Sequence, residues 1–252
     1  MSRRAKRALV TQRIWRLNLG MTPLVLIPGL LCTAEVFAPQ VPVLWSYGPV
    51  TLASTLQGDS IPQIASAILA NVPDRFALGG ISMGGYIAFE IMRQAPQRVV
   101  KLALLDTSAR PDTPEQSAQR RAMIAGSRAG EYEGLITHAL TSILHPLHQQ
   151  DAALRAINVR MALALGVEGM ARQQEANIAR CDSRPSLPAI AVPTLVLVGD
   201  CDPVTPPERA EEMAAAIPNS HLVVVPESGH ASTLEQPEAV TKALVEWLAE
   251  ER

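Results

Sequence analysis

The chain is poor in cysteine, in sustained apolar runs and in surplus charge, and each shortage removes a class of function. Cys32, Cys181 and Cys201 are its three cysteines in 252 residues. An odd number without a C-x-x-C pair argues against a disulfide framework or a thiolate zinc site and fits a reducing compartment. No apolar run approaches the ~18 residues a membrane helix needs, so no membrane span is expected and the location reads as cytoplasmic. The 22 Lys and Arg against 24 Asp and Glu leave a formal charge of −2, with both signs interspersed. Such a surface has no field to concentrate nucleic acid, and no nucleic-acid partner is expected. One segment departs from this balance. Arg3, Arg4, Lys6, Arg7, Arg13 and Arg16 crowd residues 1–20, which lack the apolar core of a secretory signal although their composition overlaps that of transit peptides. The segment reads as a basic, disordered extension, with Met21 as an alternative start.

From Thr22 onward the chain alternates apolar runs with helical patterns. Leu24–Ile27, Val50–Ala53, Phe76–Ile81, Val99–Leu105, Thr194–Val198 and Leu222–Val225 read as buried strands. Helical spacing falls at about Thr33–Gln40, Ile61–Asn71, Met83–Gln94, Pro207–Ile217 and Pro237–Glu250. That alternation predicts a mostly parallel, doubly wound α/β sheet in one large core. From roughly Pro111 to Pro188 the pattern is helical throughout, which predicts an all-helical insertion.

The richest stretch is Phe76-Ala77-Leu78-Gly79-Gly80-Ile81-Ser82-Met83-Gly84-Gly85-Tyr86. An apolar run, a serine flanked by Gly80 and Gly84 in a G-x-S-x-G pattern, and an amphipathic run make the strand, sharp turn and helix of a nucleophile elbow. A serine hydroxyl is a weak nucleophile until a base takes its proton, so a partner histidine and a carboxylate are required elsewhere.

These patterns together resemble the α/β-hydrolase fold family, a capped serine hydrolase of the esterase type, from Met21 to the C-terminus. The resemblance implies a helical cap at 111–188, inserted before the penultimate strand, on a core built from 21–110 and 189–252. It places the acid in the loop after the strand that follows the cap, where Gly199-Asp200-Cys201-Asp202-Pro203-Val204-Thr205-Pro206 matches at Asp202. The base matches His230 in Pro226-Glu227-Ser228-Gly229-His230, followed by Leu234-Glu235-Gln236-Pro237. The chain order Ser, Asp, His is the one expected of this fold. Asp200, two residues earlier, and Asp106, after the strand Val99–Leu105, remain competing acids. The oxyanion donors implied are the backbone N–H groups of Met83 and Leu30. The loop Pro28-Gly29-Leu30-Leu31 carries Pro-Gly where many relatives carry His-Gly, a change that spares the backbone donor. Relatives also commonly add two antiparallel strands at the start, for which only Leu9-Val10 and Ile14–Leu17 are candidates.

The expected activity is hydrolysis of small, largely apolar carboxylic esters through an acyl-Ser82 intermediate, without cofactor or metal. The same residues would serve a thioester or carbon–carbon bond hydrolase, or a slow-turnover receptor for a small ligand. His145, His148 and Asp151 have loosely ligand-like spacing, but Pro146 breaks the register that would align His138 with them, and they read as solvated loop. His221 opens a strand. Cys32 and Cys201 read as packing residues. Of the insertion's aliphatic positions, among them Met123, Ile124, Leu140, Ile143, Met161 and Leu163, most should dock it and a minority should line a pocket above Ser82.

Overall fold

The computed structural model describes residues 22–250. The basic segment 1–20, its candidate strands and Met21 lie outside the described residues. All six expected strands form: β1 (Leu24–Ile27), β2 (Val50–Leu52), β3 (Phe76–Ile81), β4 (Val99–Leu105), β5 (Thr194–Gly199) and β6 (Ser220–Val225). They build one sheet in the order β2-β1-β3-β4-β5-β6, and every pairing is parallel. Parallel neighbours require crossovers, which the chain supplies as helices. From β1 the order runs outward to β2 on one side and through β3 to β6 on the other. The strand ends of β1 and β3 therefore flank the point where winding reverses, and there a crevice opens at the carboxyl edge.

The principal helices are α1 (Ile61–Leu69), α2 (Met83–Gln94), α3 (Pro114–Gly126), α4 (Tyr132–Ser142), α5 (Ala152–Ile178), α6 (Pro207–Ala216) and α7 (Pro237–Ala249). Side chains alternate across each strand, so one sheet feeds two cores. Val25 and Ile27 pack with Ile64, Ile87 and Met213 of α1, α2 and α6, whereas Leu24 and Leu26 pack with Leu44, Val240 and Trp247 on the other face. Each such fully buried aliphatic side chain contributes about 1.5–3 kcal/mol.

The run expected to be one helix over Thr33–Gln40 forms only a 3-10 turn, Ala34–Phe37, and a separate one-turn helix, Val41–Leu44, follows it. Pro39 has no amide proton to carry a helix across the junction, and Pro42 is tolerated in the first turn of a new one. Between β4 and β5 the chain makes α3, α4 and α5, with their own apolar cluster of Ile124, Tyr132, Ile136, Leu140, Ala162 and Met170. Thr113 and Gln116 cap α3 reciprocally, and Asp151 caps α5. Within α5, Gly166 at φ 69° interrupts the helix, a conformation glycine tolerates without a Cβ clash.

Candidate active site

Ser82 ends β3 and opens α2 with φ 54° and ψ −117°, a strained geometry for a residue with a Cβ. The turn is possible because its flanks carry no side chain. A Cβ on Gly84 would lie 2.1 Å from the Ile27 carbonyl oxygen, and one on Gly80 2.3 Å from that of Gly84. The loop after β1 passes so close that a Cβ on Gly29 would sit 3.2 Å from that of Ser82. Neither the Leu30 amide nor the Met83 amide donates to a backbone carbonyl outside its own element. Leu31 next to them takes φ 61° and donates its N–H to Gln173 Oε1 at 3.0 Å, while Gln173 Nε2 donates to Thr55 Oγ1 at 2.9 Å. A buried glutamine of α5 thus clamps the loop.

The structure brings Ser82, His230 and Asp202 into one hydrogen-bonded chain. Ser82 Oγ lies 2.8 Å from His230 Nε2, and His230 Nδ1 lies 2.7 Å from Asp202 Oδ2. The serine is half-buried; the histidine and aspartate are buried. Asp202 Oδ1 accepts the amides of Val204 (2.8 Å) and Thr205 (2.9 Å), and Oδ2 also accepts the Thr205 hydroxyl (2.8 Å). Burial opposes ionisation of Asp202, but the His230 charge and these donors outweigh it and hold the carboxyl below its ordinary range. Burial likewise opposes the imidazolium of His230, and the Asp202 carboxylate outweighs it, so that pKa is raised above 6.5.

The two competing acids have other partners. Asp200 accepts the amides of Glu227 and Ser228, both at 3.1 Å. Asp106, fully buried with φ 43°, accepts the Gly199 amide at 3.0 Å and the Ser232 amide and hydroxyl at 3.3 and 2.5 Å. It ties the end of β5 to the segment just after His230. Burial first and the Asp202 charge second push its carboxyl up to about 8, against donors that favour the anion. Glu235 does similar work on the histidine loop, accepting the amides of Gly229 (3.0 Å), Ala231 (3.1 Å) and His145 (2.7 Å). Sequence reasoning quoted Glu235 without giving it a task and overlooked Gln173; Thr205, three residues beyond an aspartate, was detectable as an Asx-type turn.

The expected loop histidines disperse. His148 Nδ1 sits 3.0 Å from Glu235, Asp151 caps α5, and His138 is exposed. Among the described residues, His145, Asp200 and Cys201 are the group whose ligand atoms lie within 4.8 Å of one another, yet both Asp200 oxygens already accept amides. The Cys32 thiol lines the cleft beside Ser82, and burial pushes its pKa up to about 12, so it is inert as a nucleophile.

Above Ser82 lies a cleft, open to solvent at its mouth, with about 850 Å³ of atom-free space. Leu30, Leu31, Val36 and Val204 line it from the sheet side, and Met123, Leu140 and Ile143 from the inserted helices. Those three are the pocket-facing minority that the helical pattern left unnamed; Leu163, by contrast, is exposed.

The chain is similar to several known proteins. A pimeloyl-[acyl-carrier protein] methyl ester esterase of Neisseria meningitidis serogroup C is 30% identical over 212 residues, 80% of this chain and 82% of the relative. A thermophilic esterase from Thermogutta terrifontis superimposes with TM-score 0.81 at 33% identity, covering 90% of this chain and 89% of that one. The enol-lactonase of Burkholderia xenovorans LB400 gives TM-score 0.82 at 26% identity over 92% and 94% of the two chains. No helix among the described residues is long and apolar enough to cross a membrane. The family model for the alpha/beta hydrolase family matches residues 9–243, and the chain belongs to that family.

Proposed function

We propose that the protein is a serine hydrolase of small, largely apolar carboxylic esters. The hydrogen-bonded chain from Ser82 through His230 to Asp202 carries this reading, with its 2.8 and 2.7 Å links. His230 Nε2 takes the hydroxyl proton as Ser82 Oγ attacks the ester carbonyl. The imidazolium that forms is held in orientation and stabilised by Asp202. Charge on the carbonyl oxygen meets the amides of Leu30 and Met83, positioned before reaction by the clamped loop and the start of α2. Collapse expels the alcohol with the proton from His230 and leaves acyl-Ser82. Water, activated by His230, then releases the acid and restores the serine.

In this reading residues 111–188 act as a cap over a core of 21–110 and 189–252, and no cofactor or metal takes part. Support also comes from two relatives, one a methyl ester esterase and the other a thermophilic esterase. The test is a fluorophosphonate probe with mass-spectrometric reading of the labelled peptide, beside rates for p-nitrophenyl esters of increasing chain length. Labelling at Ser82 together with turnover is the expected result. Turnover retained by Ser82→Ala would overturn the mechanism.

A further inference from the structure

The inserted helices hold a polar group that the reaction above does not use. Arg120 of α3, and Gln174 and Asn177 of α5, line the same cleft as Ser82. Arg120 donates to Asp112 Oδ2 at 2.7 Å and to Gln174 Oε1 at 2.7 Å, and its side chain is 18% exposed. The buried Asp112 carboxylate is shared, because Arg180 pairs with it as well. Arg180 is also sequestered, lying 4.3 Å over the Tyr86 ring. Two guanidinium groups and one carboxylate leave this cluster with one positive charge in excess, beside a mostly apolar cleft where a charge is costly without a counterion.

Asn177 is the second, independent observation. It is 1% exposed, and its Oδ1 has no hydrogen-bond partner. Among the described residues the Nδ2 end makes no hydrogen bond, and neither does Gln174 Nε2, whose amide oxygen is taken by Arg120. Buried amides are nearly always paired, so an unpaired one in a cleft wall marks a place for a ligand's polar atom. A half-turn about χ2 presents either end of Asn177 to that atom. A guanidinium and two amide side chains along one cleft wall can cradle a carboxylate, since a carboxylate accepts about four hydrogen bonds and pairs with arginine in a fork.

We propose that Arg120, Gln174 and Asn177 form a subsite for a free carboxylate on the substrate, so that the esters hydrolysed at Ser82 are anionic ones with an apolar middle. The inference rests on the ester-hydrolase reading and narrows its substrate class to half-esters of dicarboxylic acids or esters of ω-hydroxy acids. The apolar walls between the two polar ends, with Met123, Leu140 and Ile143, suit a methylene spacer.

The experiment compares kcat/KM for mono-p-nitrophenyl esters of succinic to suberic acid with neutral p-nitrophenyl esters of matched length. Simple alkyl esters of ω-hydroxy acids and their neutral counterparts cover a carboxylate on the alcohol side. The free acid is preferred at least about 10-fold at one chain length, because a buried polar site rejects partners that leave it unpaired. Arg120→Gln brings that ratio toward one, and Asn177→Asp inverts it by placing a like charge in the cradle. Asn177 makes no side-chain bond that the fold needs, so this second variant stays informative where the loss of Arg120 unfolds the protein. Equal rates for anionic and neutral esters in both series overturn the subsite while leaving the hydrolase reading intact. Should no ester be hydrolysed and Ser82 stay unlabelled, calorimetric titration of C4 to C8 dicarboxylates still decides. Binding to the parent protein that Asn177→Asp abolishes upholds the subsite without the hydrolase, and no binding overturns both.

Discussion

Around Ser82 the polar groups that face one another are paired within the protein, whereas in the cleft wall formed by the inserted helices the Asn177 side chain is left open among the described residues. Asp202 accepts three donors besides His230, Asp106 accepts three, and Glu235 accepts three amides and faces His148. Asn177 has none at its Oδ1. Both regions are buried, so the difference is not one of solvent. The groups that hold the site's geometry are held mostly by backbone amides of the surrounding loops, which cannot rotate away as side chains can. Groups that recognise a ligand keep a valence in reserve for it.

Several substitutions would break or sharpen that contrast. On the paired side, Ser82→Ala is expected to lower ester kcat by about 10⁴-fold or more while leaving ligand binding largely intact, because the oxyanion donors and cleft remain. Steady-state rates and a binding titration check both halves. Asp202→Asn is expected to cost about 10³- to 10⁴-fold through loss of the correct tautomer. Asp106→Asn, which only loosens the tie between β5 and Ser232, should cost about 10- to 100-fold. Kinetics of the two variants side by side settle which carboxylate is the acid, and a reversed order would move that role to Asp106.

Gln173 joins the two regions, since it belongs to an inserted helix but clamps the loop that carries the Leu30 amide. Gln173→Leu should lower kcat about 10-fold with a smaller change in KM, as expected of a displaced oxyanion donor that acts mainly in the transition state. If KM alone rises, the residue belongs with the ligand-facing set. The smallest effect is on pH. Protonated His230 cannot accept the serine proton, and its pKa is raised above 6.5 by Asp202. The acid limb of kcat/KM, which reports the free enzyme, should therefore rise with pH around a midpoint above 6.5 and move to lower pH in Asp202→Asn.

Much of this was readable from the chain because the signals are local. Six short apolar runs bounded by breakers became six strands, and glycines two residues either side of Ser82 announced a turn only such residues permit. Asp202 and His230 were matched through the family resemblance, and the loops that carry them follow β5 and β6. Helical periodicity was weaker where proline intervened: the run Thr33–Gln40 looked continuous but holds only a 3-10 turn that stops at Phe37, before Pro39. Gln173 and Glu235 carry no such signal, and Asp106, although it directly follows β4, gave no sign of its partners. Each is an ordinary polar residue whose bonds reach distant backbone, as with Gln173 and Leu31, which are 142 positions apart.

The sequence by itself therefore determined the parallel α/β sheet, the sharp turn at Ser82 and the order in which serine, aspartate and histidine follow their strands, because period, glycine placement and short spacing are properties of neighbouring residues. Only the tertiary structure decided that His230 turns to Asp202 rather than to Asp200 or Asp106, and that Arg120 and Asn177 face the cleft. Those choices depend on which side chains of remote segments meet in a buried, low-dielectric space, where an available backbone amide or one excess charge decides the outcome.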